Sequence, residues 1–455
     1  MTRVLALDVG TSSVRARLYD ERGEPVEGGE AQTRYDVSPS GVLDPQLLLR
    51  AAEAAVENVS GAHGVRVDAI ACSCFWHSLL ALDGRGRPLT PLLTWRDVRS
   101  APQAHALAEA LDGEAVWART GAPLHASFWP AKLAWLAAEE PEAFSSARHF
   151  VGFGDWLLQR QTGELRASLS TASATGLWAE AGWDEELLAA IGVEPERLPP
   201  VSDDPCGPGS APWFPALGDG ACSNLGIGCL TPDRAALMIG TSGALRIVAE
   251  DASPPPPGLF RYRLDARRAV VGGSLSSGGN LYAWLEQTLR PTETRGVAER
   301  APAGHCLTFI PSLGGERSPT WDDEARGVVA GLTFETTALD LVQAGLEAVA
   351  YAFAAIAERL PGVTEIVATG RALYEDTDWL QILADVLERP VERSTEPEAS
   401  ARGAAVFALE RLGFDPSPPA RGRLVEPRPE RFPAHREARE RLAELRYRTG
   451  SRQFS

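Results

Sequence analysis

The sequence predicts an α/β protein made of two similar halves, and three observations carry this prediction. A strand-turn-strand phrase near the start, "LALDVGTSSVRARL", is echoed by "ALMIGTSGALRIV" at 236–248, so a similar unit opens each half. Alternating strand and helix patterns follow each copy. At 455 residues the chain is also too long for one hydrophobic core and requires two large domains or three smaller ones. We therefore expect a duplicated architecture with a cleft between the copies.

In the first half, the pattern predicts three strands, a helix, a buried strand and then a run of helices. Asp44 and Pro45 are typical of the cap and first position of the first helix. The strands are predicted at 3–9, 14–20, 24–35 and 67–75, and the helices at 44–59, 101–112, 130–140, 154–161 and 184–191. The Pro/Gly/Ser-rich stretch "PPVSDDPCGPGSAPWFP" at 199–215 indicates a boundary loop.

The second half restarts with the repeated phrase and ends in a charged helix. "AVVGGSLSSGGNLYAWLEQTL" predicts a strand, a glycine loop and a helix, and 339–360 predicts a long buried helix. A strand at 365–370 and helices at 378–387 and 399–413 follow. The segment 435–450 predicts a charged surface helix to which the sequence assigns no role. The predicted divisions are an N-terminal domain at 1–214, a C-terminal domain at 215–430 and a surface helix at 431–455.

Composition excludes several classes of function. Hydrophobic residues make up 44% and charged residues 23% of the chain, as in ordinary soluble proteins. The formal net charge of −17 argues against a large nucleic-acid surface, which would need a basic face. No apolar run approaches membrane-spanning length and the N-terminus is strand-like, so we expect a cytoplasmic protein with no membrane partner. The six cysteines form no CxxC pair and are expected to be reduced and mostly buried.

The two Gly-Thr-Ser turns are candidates for binding phosphate. Such a turn presents successive backbone N–H groups and hydroxyls, and two facing turns would hold a polyphosphate from both sides. Asp8 in the first copy is replaced by Met238 in the second, which is consistent with a single carboxylate holding Mg²⁺ beside the phosphates. The alternative is two ordinary hairpins with polar turns. A Walker-type phosphate loop is absent from the sequence.

Asp219 is the candidate catalytic carboxylate. It stands between two glycines in "PALGDGACSNLGIG", just after the boundary loop. Phosphoryl transfer to an alcohol requires a carboxylate that accepts the hydroxyl proton where backbone can approach the phosphate. A Gly-Asp-Gly turn is also common in proteins without this role.

Several collinear stretches resemble the FGGY family of carbohydrate kinases, which has the actin-like (ribonuclease H-like) ATPase fold with a catalytic cleft between two domains. The resemblance runs from about residue 3 to about residue 412. It rests on "LALDVGTSSVRARLYD", "TWRDVRS", "RTGAPLH", "KLAWL", "TASATGLW", "GDGACSNLGIG", "IGTSGALR" and "FIPSLGGERSPTWDDEARGVVAGLTF". Among family members the chain looks most like the gluconate kinases.

The resemblance implies an ATP- and Mg²⁺-dependent phosphotransferase with Asp219 as the base that activates a sugar hydroxyl. It implies that Asp8, together with Asp219, handles Mg²⁺. The residues implied to bind the nucleotide are Gly10, Thr11, Ser12, Gly240, Thr241, Gly278, Gly279, Gly370 and Arg371.

The substrate-binding candidates are argued from the chemistry of a polyol, which needs convergent polar groups and an apolar or aromatic face. They are His77, Trp95, Arg96, Asp97, His125 and Lys132. A sugar acid also needs a cation, which Arg96, Arg99 or Lys132 would supply. Lys132 is the single lysine among 44 basic residues. Each candidate has a structural alternative: a core histidine, a packed tryptophan, solvated arginines, or a lysine stem on a helix face.

Three positions depart from the usual family pattern. Trp76 stands where methionine is common, which suggests a larger pocket floor and a different substrate. Arg371 replaces a second glycine beside the adenine, where it would stack on the base or crowd it. Gly345 stands where a slightly larger small residue is usual.

The leading hypothesis is therefore a gluconate kinase. The alternatives are a kinase for a ketopentose or polyol such as xylulose, a kinase weakened in ATP binding by Arg371, and a non-catalytic actin-fold ATPase. The expected partner is a small sugar or sugar acid, and a homodimer is compatible with the sequence.

Overall fold

The computed structural model describes residues 2–35, 41–61, 66–207, 211–250, 253–375 and 377–451. Within these ranges the chain forms two large β-sheets, one in each half, and three small two-stranded sheets. Parts of two predictions, the boundary loop at 208–210 and the C-terminal segment at 452–455, lie outside the described residues.

The first half contains strands β1 to β9 and helices α1 to α9. The strands are Val4–Val9, Ser13–Tyr19, Pro25–Arg34, Val42–Leu43, Ala69–Cys74, Leu80–Leu82, Leu92–Leu93, His149–Val151 and Leu217–Gly218. The helices are Pro45–Gly61, Ala101–Ala110, Gly113–Thr120, Trp129–Glu139, Pro141–Ser146, Phe153–Thr162, Leu169–Ser173, Glu185–Ile191 and Asp219–Gly226, with a 3-10 turn at Pro195–Arg197.

The second half contains strands β10 to β18 and helices α10 to α15. The strands are Arg234–Ile239, Gly243–Ala249, Phe260–Arg263, Ala269–Leu275, Thr308–Ile310, Val328–Ala330, Glu365–Thr369, Val391–Arg393 and Leu424–Val425. The helices are Gly279–Leu289, Ala338–Ala357, Arg371–Glu375, Thr377–Leu387, Ala399–Arg411 and Phe432–Arg448, with 3-10 turns at Val297–Glu299 and Pro429–Arg431.

The two large sheets share one topology. The first has the strand order β3-β2-β1-β5-β9, and the order β13-β11-β10-β16-β17 within the second sheet repeats it. In both, the opening strand pairs antiparallel with the next strand and parallel with a later one: β1 with β2 and β5, and β10 with β11 and β16. The predicted duplication is therefore confirmed, and each Gly-Thr-Ser turn lies at the same point of its sheet.

Most predicted elements are confirmed, and two of the helices that were not predicted, α3 and α5, bury few residues. Strand β5 is buried at every position, as expected for a central parallel strand covered on both faces. Helix α3 was missed because it buries only Val116 and Thr120. It is nevertheless capped by Asp112, whose carboxylate accepts the N–H groups of Glu114 and Ala115. Helix α5 was missed because it buries no residue.

Helix α11 corrects one expectation about membranes. By length and composition alone it could cross a bilayer, whereas the sequence analysis expected no such segment. Its apolar window is 83% buried inside the molecule, as in the core helix of a folded domain. The prediction of a long buried helix at this position is confirmed.

The two halves are joined by close packing of α9 against α14. A Cβ added to Gly403 would lie 1.8 Å from the Cys222 carbonyl oxygen, and one added to Gly226 would lie 1.8 Å from the Ala399 carbonyl oxygen. Because no larger residue fits at either position, the two glycines permit this close approach of the helices. Strand β9, just beyond the predicted domain boundary at 214, pairs in parallel with β5 of the first sheet.

The C-terminal helix α15 is charged, but one of its faces is buried. His435, Ala438, Leu442 and Arg446 are at most 6% exposed. The description of this segment as a surface helix is therefore incomplete. The sequence did not predict this buried face because two of its four buried residues are basic, and basic residues are usually exposed.

Five of the six cysteines are buried and all six are free thiols, as predicted. Cys306 is the exposed one.

Candidate active site

Each Gly-Thr-Ser turn is closed by a hydrogen bond from the N–H of its glycine to a carbonyl further along the turn. In the first, the Gly10 N–H donates to the Ser13 carbonyl at 3.0 Å, and in the second the Gly240 N–H donates to the Ser242 carbonyl at 3.0 Å. Thr241 is exposed at the tip of the second turn. Both tips therefore offer hydroxyl and N–H groups to a ligand, which is the chemistry that phosphate oxygens require.

The first turn is held by Tyr35. The Tyr35 hydroxyl donates to the Gly10 carbonyl, and its backbone N–H donates to the Ser12 carbonyl at 3.2 Å. Ser12 is exposed and Thr11 is half-buried. This bracing fixes the turn while its hydroxyls stay accessible.

Three predicted glycines surround the second turn. The Gly279 N–H donates to the Gly240 carbonyl at 3.0 Å, and an added Cβ on Gly279 would lie 2.5 Å from that same oxygen. An added Cβ on Gly278 would lie 2.6 Å from the backbone of the turn. Gly370 has a φ of 108°, and its Cβ would lie 2.3 Å from the Ile239 carbonyl oxygen. The predicted nucleotide-binding residues of the second half therefore lie together around this turn: Gly240, Thr241, Gly278, Gly279 and Gly370.

Arg371 follows Gly370 directly and begins α12 on an exposed surface. It therefore lies adjacent to the second turn, and its predicted place beside adenine stays a prediction.

Asp219 begins α9 at the junction of the halves and is half-buried. Its carboxylate accepts the Gly220 N–H at 2.8 Å and also the backbone N–H of Trp76. An added Cβ on Gly218 or Gly220 would lie 1.7 Å or 2.2 Å from atoms of the Trp76 indole. The flanking glycines are therefore needed because the Trp76 ring occupies the space that a larger side chain would take.

Trp76, where the sequence predicts a larger pocket floor, is buried behind the Asp219 turn and lines a small cavity together with His77 and Thr175. It is 7% exposed, and its Nε1 donates to the Ser170 carbonyl at 3.2 Å. Its ring centroid lies 5.1 Å from that of Tyr262. The tryptophan therefore supports the Asp219 turn from behind.

Burial raises the pKa of Asp219, and nearby positive groups oppose the shift. The Arg246 guanidinium is the largest opposing influence, followed by the two backbone N–H groups and then Arg317. A carboxylate with a raised pKa in a polar environment is suited to accept a proton.

Asp8 lies near Asp219, at the end of β1. Its carboxylate accepts the Ser73 hydroxyl at 3.0 Å and lies 3.5 Å from an Arg15 nitrogen. Burial raises the pKa of Asp8 to about 6, opposed by Arg15 and Ser73, while the charges of Asp219 and Glu398 raise it further. Two carboxylates therefore share this region.

A cleft of about 500 Å³ lies between the two halves. Its walls combine aromatic rings, hydroxyls and guanidinium groups. The lining residues include Trp95, Arg96, His125, Ser127, Thr241, Asn280, Trp284, Glu316, Arg317, Asp323 and Arg326. Four predicted site residues, at 95, 96, 125 and 241, are thus brought to one cleft, which extends from the second turn to the predicted sugar-binding side.

His77 does not line that cleft, but its ring is held in a defined tautomer. Its Nδ1 lies 2.7 Å from the Ala174 carbonyl, which can only accept, so Nδ1 carries the proton and Nε2 is free to act as an acceptor. Burial, followed by the charge of Lys132, lowers the pKa of His77 to about 3. The ring is therefore neutral near pH 7.

Lys132 and Asp97 lie outside the residues that line the cleft. Lys132 is 1% exposed, and its Nζ donates to the His77 carbonyl at 2.7 Å. Asp97 is 3% exposed and accepts two hydrogen bonds from the Arg99 guanidinium, at 2.9 Å and 2.7 Å, and one from the Arg99 backbone N–H at 3.1 Å. Both side chains stay predicted substrate contacts, and in the structure each is hydrogen-bonded to another group of the protein.

His125 connects the two halves across the cleft. Its Nε2 lies 2.8 Å from the Asp323 carboxylate, and its Nδ1 accepts the Ser127 N–H at 3.1 Å. The sequence analysis predicted His125 but missed Asp323, which belongs to the quoted stretch "SPTWDDEARG".

Arg317 lines the cleft but was not predicted from the sequence as a site residue. Its guanidinium carbon lies 4.6 Å from the centre of the Trp95 ring, and its Nη2 donates to the Leu275 carbonyl at 2.6 Å. Its Nε is buried without a hydrogen-bond partner among the described residues. Burial lowers the pKa of Arg317 to about 10, opposed by Tyr262 and Asp219, so it remains a cation. The only sequence signal was its place in the stretch "GGERSP".

The carboxylates present are consistent with Mg²⁺ and not with a cage of protein ligands. Across the described ranges, no group of three or more His, Cys, Asp or Glu side chains is placed to hold a metal ion. Mg²⁺ characteristically uses one or two carboxylates together with phosphate oxygens and water, and the pair Asp8 and Asp219 fits that requirement.

The chain is similar to known proteins over most of its length. Models for the N-terminal and C-terminal domains of the FGGY family of carbohydrate kinases match residues 3–205 and 235–410. The gluconokinase of Bacillus subtilis (strain 168) is 31% identical, covering 90% of this chain and 88% of its own. The xylulose kinase of Streptomyces rubiginosus is 33% identical, covering 92% and 90%. The solved gluconate kinase from Lactobacillus acidophilus matches with a TM-score of 0.89 at 26% identity, covering 98% of both chains.

Proposed function

The chain belongs to the FGGY family of carbohydrate kinases, and from this premise we propose that it transfers the γ-phosphoryl group of ATP to a hydroxyl of gluconate. It is a phosphotransferase with an alcohol acceptor, and its two halves have the actin-like (ribonuclease H-like) fold. The observation that carries the proposal is the position of Asp219 at the junction of the two halves, where its half-buried carboxylate interacts electrostatically with Arg317, a residue of the cleft wall.

In the proposed reaction, Asp219 is the general base. Its carboxylate accepts the proton of the sugar hydroxyl as the hydroxyl oxygen forms a bond to the γ-phosphorus. The bond from that phosphorus to the bridging oxygen breaks, and ADP leaves. The raised pKa of Asp219 strengthens it as a base, and its backbone hydrogen bonds fix the direction of the carboxylate.

The proposed nucleotide site is built from the two turns and their glycines. Gly10, Thr11 and Ser12 on one side, and Gly240 and Thr241 on the other, offer donors to phosphate oxygens. Gly278 and Gly279 allow the backbone to approach the ribose and phosphates, and Gly370 and Arg371 lie where adenine is proposed. Asp8 and Asp219 would hold Mg²⁺, which when bound neutralises charge on the phosphate oxygens.

Gluconate is proposed because three guanidinium groups line the cleft, whereas the two lining carboxylates, Glu316 and Asp323, are paired with Arg446 and His125. Arg96, Arg317 and Arg326 all line it, and a guanidinium is the side chain best matched to a carboxylate. Trp95, which lines the cleft, supplies an aromatic face. His77 lies outside the cleft-lining residues and stays a proposed substrate contact because its Nε2 is free to accept a sugar hydroxyl.

The runner-up is a kinase for a neutral ketose, and one observation favours it: the Streptomyces rubiginosus xylulose kinase is as similar to this chain as the gluconokinase. A screen of purified protein against gluconate, xylulose, ribulose and glycerol, read as ADP release, separates the two. Gluconate should give the highest kcat/KM, and preference for a neutral sugar contradicts the proposal.

Asp219→Asn should lower turnover by about 10²- to 10⁴-fold with every sugar. A sugar-independent ATPase would instead indicate the non-catalytic alternative.

Arg96 provides a sharper test of acid specificity. Arg96→Gln should lower kcat/KM for gluconate about tenfold more than for xylulose, because only the acid loses a charged hydrogen bond. Arg99→Gln is the matched control, since Arg99 is bound to Asp97 and stacks on Trp135 at 4.3 Å from the ring centre. Equal losses with both sugars would contradict a carboxylate contact at Arg96.

The domain limits 1–214, 215–430 and 431–455, together with a homodimer, stay proposals. Limited proteolysis tests the limits. Light scattering of the purified chain tests the homodimer, and Leu332 and Phe334, 58% and 112% exposed, are the apolar side chains that we propose a partner copy would cover.

A further inference from the structure

The C-terminal helix α15 reaches the wall of the cleft through a buried ion pair. Arg446 is 0% exposed and Glu316 is 7% exposed. The guanidinium donates to both carboxylate oxygens, from Nη1 at 2.8 Å and from Nη2 at 2.6 Å. Such a two-point contact fixes orientation as well as distance. Glu316 is itself a residue of the cleft wall.

Glu316 anchors the loop that carries Arg317. The Glu316 carboxylate also accepts the Thr320 hydroxyl at 2.7 Å, and its backbone N–H donates to the Asp322 carbonyl at 2.8 Å. These bonds close residues 316–322 into a compact loop. Arg317 and Asp323 then project from the ends of that loop into the cleft.

The loop therefore sets two contacts on the proposed sugar side of the site. Arg317 lies 4.6 Å from the Trp95 ring centre, and Asp323 lies 2.8 Å from the His125 ring. Both contacts join the second half to residues of the first. A shift of the loop by about 1 Å would misplace both, and shifts of that size are enough to reduce turnover strongly.

We infer that Arg446 is a positioning residue for the sugar side of the active site, acting through Glu316 on Arg317 and Asp323. The residue lies beyond position 410, where the match to the family's C-terminal domain ends. A buried ion pair is weak evidence for stability, because desolvation offsets much of the attraction. Its place behind the cleft wall favours a role in geometry. This inference rests on the proposed function.

The test compares Arg446→Gln with Arg446→Lys and with a control on the same helix. Arg439→Gln is the matched control, because Arg439 pairs with Glu358 at the surface, away from the cleft-lining residues. Arg446→Gln should raise the KM for the accepted sugar about tenfold and leave the KM for ATP within about twofold. Arg446→Lys keeps the charge but loses the forked contact, so its sugar KM should fall between those of the wild type and Arg446→Gln. Arg439→Gln should leave both KM values unchanged.

Hydrogen exchange of residues 313–323 gives a readout that needs no turnover. Exchange there should be faster in Arg446→Gln than in Arg439→Gln, with exchange in β13 and β14 unchanged. If Arg446→Gln does not fold, Arg446→Lys carries both measurements. A folded variant with unchanged sugar KM and unchanged loop exchange overturns the inference, as does an equal rise in both KM values.

The two proposals fail separately. A wild-type protein that turns over no sugar refutes the proposed function. The exchange comparison then still tests whether Arg446 orders the loop.

Discussion

At the residue scale, the ionisation of two carboxylates should set the acid limb of the pH profile. Asp219 must be ionised to accept a proton, and burial raises its pKa, so the ionised fraction is lost at a higher pH than for an ordinary aspartate. The pKa of Asp8 is also raised, to about 6, so Asp8 too becomes protonated at a higher pH than an ordinary aspartate. We expect kcat/KM to fall as the pH drops through about 6, rather than near 4.

Arg246 tests the cause of that limb. Its charge is the strongest influence lowering the pKa of Asp219, so Arg246→Gln should move the acid limb to higher pH. A kcat/KM profile from pH 5 to 9 measures the shift. An unmoved or lowered midpoint would show that another group controls the profile.

Lys132 illustrates how far a residue's type indicates its role. The single lysine was predicted to supply a cation to a sugar acid, and in the structure its Nζ donates to the His77 carbonyl and does not line the cleft. His77 has a φ of 65°, which is uncommon for a residue with a side chain, so its backbone needs such support. The direction of a buried side chain depends on tertiary packing, which spacing along the chain does not encode.

We therefore predict that Lys132→Met lowers kcat/KM for gluconate and for xylulose by the same factor. The substitution removes a buried hydrogen bond and should also lower the free energy of unfolding by about 1–3 kcal/mol. Steady-state kinetics with both sugars and denaturant unfolding measure the two effects. A much larger loss with gluconate would mean that Lys132 contacts the acid directly.

At the element scale, the repeated hairpin was the most predictable part of the molecule. The patterns that predict it are local: alternating strand residues, a Gly-Thr-Ser turn and a following helix. These patterns correctly predicted β1, β2, β10 and β11 together with their turns. Arg317 and Asp323 were not predicted as site residues because a loop carries them to the cleft from a segment distant in sequence. The buried face of α15 was missed for a related reason. Arg446 can be buried because it pairs with Glu316, and that partner lies far from it in the sequence.

Gly279 should be essential to the second turn. It is the first residue of α10, and a Cβ there would lie 2.5 Å from the Gly240 carbonyl oxygen, so Gly279→Ala must displace the turn. We expect the KM for ATP to rise about tenfold with little change in the KM for sugar. Gly113→Ala is the matched control: Gly113 is the first residue of α3, and no atom lies within 4 Å of the added Cβ. Equal effects in the two variants would count against the turn as a nucleotide contact.

At the scale of the whole molecule, the two halves also meet where α3 ends against β12. The Arg261 N–H donates to the Gly121 carbonyl at 2.9 Å, and the Trp117 indole donates to the Leu259 carbonyl at 2.8 Å. The Arg263 N–H also donates to the Ser173 hydroxyl at 2.8 Å. These bonds fix one half against the other beside the cleft, so the relative position of Trp95 and Arg317 depends on them.

Gly121 is the point at which this contact can be broken selectively. Its φ is 73°, and an added Cβ would lie 2.0 Å from the Arg261 carbonyl oxygen in the other half. Gly163, at the end of α6, has a φ of 82° but nothing within 4 Å of an added Cβ. Gly163→Ala should therefore lower the free energy of unfolding only by the strain of a left-handed backbone, about 1 kcal/mol. Gly121→Ala must in addition push the two halves apart. We expect Gly121→Ala to lower Tm further and to reduce kcat/KM for sugar, with Gly163→Ala leaving kcat/KM unchanged. Calorimetry with steady-state kinetics measures both, and matching behaviour of the two variants would mean that the cleft does not depend on this contact.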